Sequence, residues 1–297
     1  MKCVYIFNPK SGKQKHIKYQ DYIIKKLLTK FEIVDVRPTQ KKGDASLFAS
    51  EACGEYDVIV VAGGDGTMNE IINGLAEKEN RPQIGYIPTG TTNDLARSLN
   101  IPRNIKKALK VILKGKSIKH DIFKVNGKYG IYVCAFGLFT ASSYTADQAL
   151  KNKFGKLAYY FSGITEIGKT KKFPVTIKSE NLQFTTDAIL CLIANSRYVS
   201  GFKIDNEANC HDGFVNLILF KEKNPKHVSL KTLLTICKLF LGGLAKIKNV
   251  KNCHVVKLSK FSVELDEKTP VNIDGEIGHK GSFDFEMLNE HIDIIVK

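Results

Sequence analysis

Apolar residues in the first part of this chain occur in short unbroken runs, each followed by a stretch in which they recur at helical spacing. Lys2 to Phe7 alternates and then runs apolar, and Pro9 and Gly12 stop it. The pattern next predicts a helix over about His16 to Leu28, a strand over Phe31 to Val36, a Thr39-to-Gly43 loop, a helix reaching Cys53, and a strand at Val58-Ile59-Val60-Val61. Four consecutive aliphatic residues have no polar face, so this last strand belongs in a parallel sheet covered on both sides. Gln83 to Ile87 is another strand, and a helix begins with Leu95. Repeated strand-helix alternation of this kind predicts an α/β fold with a doubly wound parallel sheet.

The rhythm changes near Lys119. His120 to Val125 and Lys128 to Cys134 flank Asn126-Gly127, a type I′ hairpin signal. A helical stretch over roughly Ser143 to Lys169 follows. The remainder reads as short strands at Val175–Lys178, Ala188–Ala194, Phe214–Phe220, Val255–Leu258, Ser262–Leu265, Val271–Asp274, Ser282–Phe285 and Ile292–Ile295. The expected organisation is therefore an α/β domain over residues 1–118 and a β-rich, mostly antiparallel domain over 119–297, with the last strand free to return to the first domain.

Composition adds a compartment and a charge. The 297 residues are 43% hydrophobic, enough for a sizeable core. The longest apolar-rich segment, Val228 to Leu244, is interrupted by Lys231, Thr232, Thr235 and Lys238, so no membrane span is expected. Seven cysteines without a CxxC pair argue for a reducing, cytoplasmic setting and against zinc. The formal charge of +15 implies an anionic partner. Ten lysines against the single acid Glu222 lie in 221–260, and seven basic residues without an acid lie in 102–119. Both segments also carry helical apolar stripes, in the first case Leu230, Leu233, Leu234, Cys237, Phe240, Leu241 and Leu244. Two readings of such a stripe stand side by side: an ordinary core-facing helix with solvated lysines, or a surface that docks on a membrane.

The candidate chemistry sits in the loops. Gly63-Gly64-Asp65-Gly66-Thr67 joins the all-aliphatic strand to a helix, and glycine N–H groups at a helix N-terminus suit a polyphosphate. A carboxylate there repels phosphate unless a cation stands between them, so Asp65 is either a simple N-cap or part of a metal-nucleotide site. Pro88-Thr89-Gly90-Thr91-Thr92-Asn93-Asp94 repeats this arrangement after the next strand, with Asn93 or Asp94 as the capping alternative. Asp212-Gly213 and Asp274-Gly275-Glu276 are further Asp-Gly turns, a common hairpin feature.

Four stretches in order, NPKSGK at 8–13, GGDGTMNEIINGL at 63–75, IPTGTTNDLARSL at 87–99 and VNIDGE at 271–276, resemble the diacylglycerol kinase catalytic-domain family, and within it the soluble bacterial lipid kinases. Asp121 and FGKLAYYFSG at 154–163 extend the resemblance over essentially the whole chain. It implies that ATP binds between an α/β and a β-rich domain, with nucleotide contacts at Asn8, Pro9, Lys10, Ser11, Gly12, Thr39, Gly64, Asp65, Gly66, Thr67, Met68, Asn69, Glu70 and Thr91. Asp65 and Asp94 would work with a catalytic Mg²⁺. Asp274 and Glu276 match the acidic pair beside the lipid hydroxyl, with Glu276 ranked first as base and the choice left open. A structural Mg²⁺ would fall on Asp212, with backbone oxygens near Asn209 and Phe214. The segment before Asp212, Glu207-Ala208-Asn209-Cys210-His211, departs from the family's usual proline- or acid-rich one, and Ala135-Phe136-Gly137-Leu138-Phe139 keeps one glycine of a glycine-rich run.

The implied partners are a membrane lipid substrate, most simply diacylglycerol, and an anionic membrane surface held peripherally by the lysines of 221–260, Lys246, Lys248 and Lys251 among them. A homodimer is left open. Nucleic acid is not expected, because no RNP motif and no zinc-finger spacing occurs. The nearest rival is a NAD kinase, which shares the GGDGT loop but phosphorylates a soluble dinucleotide.

Overall fold

The structure, a computed structural model, describes residues 1–12, 16–138, 172–222 and 228–297. The helix expected over 143–169, the 154–163 motif, Lys13 and Phe139 lie outside the described residues. The chain forms two compact units, Met1–Ile122 with Asn289–Lys297, and Phe123–Leu288. The change of unit thus falls four residues beyond the expected 118/119 boundary, inside a strand, and the last nine residues join the first unit.

In the first unit β1 (Lys2–Phe7) is followed by a 3₁₀ turn at Ile17–Tyr19 and α1 (Gln20–Leu27), then β2 (Ile33–Pro38), α2 (Asp44–Ala52), β3 (Val58–Gly63), α3 (Asp65–Leu75), β4 (Gln83–Pro88), α4 (Asp94–Ser98) and α5 (Ile105–Lys114). The strands lie parallel in the order β4-β3-β1-β2. Every residue of β3 is buried, as its unbroken aliphatic run requires. Its valine and isoleucine side chains contribute roughly 1.5–3 kcal/mol each on burial. Because all four strands run the same way, the loops after β1, β2, β3 and β4 share one edge of the sheet, where ligands of open α/β sheets bind. Asn104 caps α5 by accepting the Lys107 N–H at 3.1 Å, and the helix buries Ala108, Leu109, Val111 and Ile112. For this basic segment the core-facing reading of the stripe holds.

The chain leaves through β5 (Lys116–Val125), and Asn126-Gly127, with φ of 44° and 81°, makes the expected type I′ turn into β6 (Lys128–Gly130). The expected second hairpin strand does not run on to Cys134. It breaks at Ile131-Tyr132, whose N–H groups bind a side chain described below, before β7 (Val133–Gly137) resumes. The second unit continues with β8 (Phe173–Ser179), β9 (Leu182–Ala194), β10 (Tyr198–Val199), β11 (Phe202–Lys203), β12 (Val215–Lys221), α6 (Leu230–Gly242), a 3₁₀ turn at Leu244–Lys246, β13 (Cys253–Leu258), β14 (Lys260–Glu264), β15 (Pro270–Ile273), β16 (Glu276–Lys280) and β17 (Phe283–Val296). Within this unit the paired strands are antiparallel, β9 pairing with β7, β8 and β12. Its core includes the rings of Phe123, Phe261 and Phe285, with centroids 5.1 Å (Phe123–Phe285) and 4.8 Å (Phe261–Phe285) apart.

Two differences from the sequence reading concern β16 and β17. The strands expected at Ser282–Phe285 and Ile292–Ile295 are one strand, β17, which pairs with β14 early and meets β4 in parallel at Ile294–Ile84. The polar stretch Asn289-Glu290-His291 between its apolar halves mimics a loop in sequence, and Glu290 takes a positive φ of 50° without ending the strand. β16 escapes a reading by pattern because Glu276-Ile277-Gly278-His279-Lys280 carries too few apolar residues to show an alternation.

Three histidines tie stability to pH. His16 donates from Nε2 to the Asn8 carbonyl (2.9 Å) and His291 from Nε2 to the Ala76 carbonyl (2.7 Å), while Lys221 Nζ lies 2.8 Å from His254 Nε2. Burial is the largest cause holding all three below the ordinary histidine value. A histidine depressed in the fold stays neutral while the unfolded chain takes up a proton, so the unfolded chain binds more protons as pH falls below about 6.5. Stability should therefore fall between pH 7 and pH 5, by at most about 1.4 kcal/mol per unit of depression at each histidine. Urea unfolding at several pH values checks this. His291→Gln, which keeps an N–H for Ala76, should flatten the slope, and an unchanged slope would remove His291 from the account.

Candidate active site

The glycine-rich edge of the first unit is built by three loops that lean on one another. After β1, the Asn8 N–H donates to the Ala62 carbonyl (3.0 Å), while the Asn8 side chain and carbonyl accept the Lys10 (2.9 Å) and Ser11 (3.0 Å) N–H groups. Gly12 follows with φ of 57°, and a Cβ there would collide with the Thr89 carbonyl oxygen, so only glycine closes this loop on the one after β4. Thr89 in turn sends its hydroxyl to Ser11 Oγ (3.0 Å) and its N–H to the Gly63 carbonyl (2.8 Å). A Cβ on Gly90 would lie 2.6 Å from the Gly64 Cα. The backbone of all three loops thus comes within contact distance, with few side chains in the way. Thr39 closes the far side, its N–H on the Phe7 carbonyl (2.9 Å), and the loop behind it is folded by Asp44, whose carboxyl is held below the usual carboxylate range by the N–H groups of Lys41 and Gln40.

Asp65 and Asp94 each occupy the first position of a helix, and the caps are the preceding residues Gly64 and Asn93. The simple N-cap reading of the two acids therefore gives way. Asn93, buried with φ of 52°, uses its side chain on the Gly90 carbonyl (2.7 Å) and on the Tyr86 hydroxyl (3.3 Å), which turns Asp94 inward. Tyr86 links the acids electrostatically. Its hydroxyl is buried, which is the main reason its pKa stands well above the usual tyrosine value, and Asp65 and Asp94 both raise it further while Arg103 opposes them.

The resemblance implies a metal on this pair. Two hard carboxylate oxygen donors beside a glycine cradle fit Mg²⁺ of the kind that keeps substrate phosphates among its ligands. Other expected contacts have different work. Met68 is wholly buried and gives its N–H to the Gly64 carbonyl (3.1 Å), so its side chain belongs to the core, and the Glu70 carboxylate accepts the Ala45 N–H (3.3 Å) at the start of α2. Asn69 meets Asn73 Nδ2 through its carbonyl oxygen (2.8 Å) and Oδ1 (3.2 Å), and Thr67 packs against Gly63. A cavity of about 320 Å³ adjoins the loops, lined by Gly12, His16, Pro88, Thr89, Gly90, Thr91, Arg103 and Ile105. Sequence reasoning missed Tyr86, His16 and Arg103. Arg103 pins the loop through the Thr91 carbonyl (3.0 Å), and His16, its Nε2–H on Asn8, turns an accepting Nδ1 that finds no partner among the described residues. Nothing local marks Tyr86 in an apolar strand or Arg103 in a run of lysines.

The acidic turn lies in the second unit. Asp274 and Gly275, with φ of 51° and 92°, form the two-residue loop between β15 and β16, Ile273 facing Glu276. Asp274 is buried, and its carboxylate accepts three backbone N–H groups, from Ile131 (2.8 Å), Tyr132 (3.0 Å) and Val133 (3.0 Å), while the Tyr132 hydroxyl bonds its carbonyl (2.8 Å). Both oxygens of this carboxylate are thereby spent on the backbone around the turn. Glu276 is exposed at the start of β16. Asp121, also buried, accepts the Glu290 N–H at 2.6 Å in the first unit.

Asp212, on which the resemblance places a structural metal, meets protein groups in this structure. Its carboxylate already meets the Lys257 ammonium at 2.7 Å and the Phe214 N–H at 3.1 Å, and Lys257 also lies 5.5 Å from the centroid of the Phe214 ring. Asn209 uses its side-chain oxygen on the His211 N–H (3.2 Å). A lysine stands where the resemblance implies a metal.

Comparison with known proteins agrees with this geometry. Residues 2–125 match the diacylglycerol kinase catalytic domain, and residues 134–296 match the YegS C-terminal NAD kinase beta sandwich-like domain. A diacylglycerol kinase of Staphylococcus aureus (strain bovine RF122 / ET3-1) is 37% identical over 294 residues, 97% of this chain and 90% of that protein. One from Staphylococcus carnosus (strain TM300) is 34% identical over 293 residues, 97% and 93% of the two chains. The crystal structure of a putative diacylglycerol kinase from Bacillus anthracis str. Sterne superimposes with a TM-score of 0.85 at 30% identity, covering 100% of this chain and 95% of that one.

Proposed function

Since the chain belongs to the diacylglycerol kinase family, a kinase family with an alcohol acceptor, we propose that it transfers the γ-phosphate of ATP to the hydroxyl of diacylglycerol and gives phosphatidic acid. The observation that carries the reading is the convergence of three glycine-bearing loops at one edge of the parallel sheet, with Asp65 and Asp94 opening the helices that follow two of them. Phosphoryl transfer needs little covalent work from a protein: the phosphates must be held, their charge offset and the acceptor deprotonated. The loops at 8–12, 64–67 and 89–91 supply N–H and hydroxyl donors for the phosphates. Asp65 and Asp94 would hold Mg²⁺, which when bound offsets charge on the phosphates. Glu276 accepts the proton as the lipid oxygen bonds to the γ-phosphorus, the bond from phosphorus to the bridging oxygen breaks, and ADP leaves. Asp274 shapes the turn presenting Glu276 through its bonds to the Ile131, Tyr132 and Val133 N–H groups. Among the described residues no helix is long and apolar enough to cross a membrane.

A NAD kinase-like activity is the second reading, supported by the match of residues 134–296 to a NAD kinase beta sandwich-like domain. One assay separates the two: γ-labelled ATP and Mg²⁺ with either diacylglycerol micelles or NAD. Label in phosphatidic acid is the expected result, and label in a phosphorylated dinucleotide alone overturns the proposal.

A further inference from the structure

Helix α6 is packed the wrong way round for its sequence. Its buried side holds Thr232, Thr235, Ile236 and Leu239, and the two threonine hydroxyls are satisfied inside by Asn252, at 3.1 Å from its Nδ2 and 3.2 Å from its Oδ1. At 100° per residue the opposite side carries Leu230, Leu234, Cys237 and Leu241. All four are exposed, Leu230 by 70%, Leu234 by 52% and Leu241 by 84%. Scattered exposed leucines need no explanation, but a continuous apolar stripe along a helix of 13 residues does. The helix keeps polar residues on the inside, where they need dedicated partners, and apolar ones on the outside.

The charge around the stripe selects the occupant. Lys231 and Lys238 run along one border of it, and Lys246, whose stem lies against Gly242, follows at its C-terminal end. From Val228 to Asn252 there are five lysines and no acid. The carboxylates facing the region are Glu222, bound to the Ser229 N–H (2.7 Å) and hydroxyl (2.9 Å) at the helix start, and Glu207, 3.9 Å from Lys248. A second copy of this surface meeting the first about a two-fold axis brings lysine toward lysine. An anionic bilayer satisfies both features, because leucines enter the acyl boundary while lysines stay among the headgroups.

We propose that the outward face of α6 is the element by which this protein docks on anionic membranes, Leu230, Leu234 and Leu241 inserting and Lys231, Lys238 and Lys246 reading the surface charge. The proposal takes its biological sense from the lipid-substrate reading above, but its test does not use catalysis. Cys237 lies in the stripe and is the exposed cysteine, the others being buried or half-buried. The full-length protein with Cys53→Ser and Cys210→Ser is labelled at Cys237 with an environment-sensitive fluorophore and titrated with vesicles of equal parts phosphatidylglycerol and phosphatidylcholine, or of phosphatidylcholine alone.

A blue shift with the anionic vesicles, weakened by salt and absent with phosphatidylcholine, is expected. In unlabelled protein, L234Q with L241Q should reduce cosedimentation with the anionic vesicles by tenfold or more and leave the circular dichroism spectrum unchanged. Three results overturn the proposal: no sedimentation with either vesicle, sedimentation without a shift at Cys237, or a fluorophore already shielded in lipid-free protein. In the last case equilibrium sedimentation distinguishes a second copy from this chain's own residues as the cover. Vesicle docking without kinase activity leaves the proposal standing and removes the functional reading instead.

Discussion

Replacing Asp65 with alanine should lower phosphoryl transfer by about 100-fold or more while leaving the protein folded. The residue opens α3, is only half-buried, and belongs to no apolar cluster, so truncation leaves no cavity of consequence. Its structural worth is that of a negative charge at a helix N-terminus, about 0.3–1 kcal/mol. Its functional worth is larger, because with Asp94 it sets the charge at the loops that would hold the polyphosphate. Steady-state turnover on micellar diacylglycerol measures the effect, and thermal unfolding verifies the fold. A variant that turns over at near-native rate would detach Asp65 from the chemistry and leave it as a helix-terminal charge.

The acidic turn should separate into two behaviours. Glu276→Gln removes an exposed group and should reduce kcat by about 10²–10⁴-fold, the usual range for a lost general base, with ATP affinity and melting temperature unchanged. Asp274→Asn keeps the shape of a side chain whose two oxygens take three backbone N–H groups, yet its amide must turn an N–H toward at least one of those donors. That mismatch costs about 1–3 kcal/mol, and each kcal/mol lowers the melting temperature by about 2–4 °C in a chain of this size. Activity should fall with it, through displacement of Glu276. Equal melting temperatures for the two variants, or a change confined to the KM for ATP, would contradict this division of labour.

Much of this was legible along the chain, for a local reason. An unbroken aliphatic run, a glycine at a turn and an Asn-Gly pair act through neighbours in sequence, so β3 and its loop, the parallel alternation and the hairpin at Asn126-Gly127 could be read before any contact was known. The order of four loop motifs likewise pointed to the family. Competing local signals account for the misses: polar residues inside β17 imitate a loop, and the few apolar residues of β16 conceal a strand.

What the sequence by itself determined is thus which segments become strands, helices and glycine-rich turns, because periodicity and backbone freedom are properties of the segment. Only the tertiary structure decided where each segment's groups are spent. Asp274 and Glu276 stand two apart and look equivalent in sequence, yet the N–H groups of Ile131, Tyr132 and Val133 occupy one inside the fold and the other stays at the surface. Met68 and Glu70 sit in the loop motif but serve the core and the start of α2. Lys257, 45 residues from Asp212 in sequence, stands as its counter-charge. Two basic helices with apolar stripes read alike, and α5 turns its stripe into the core while α6 turns one outward, because the face a helix buries depends on what its neighbours offer. For α6 that neighbour is Asn252, which two threonines can satisfy and leucines cannot.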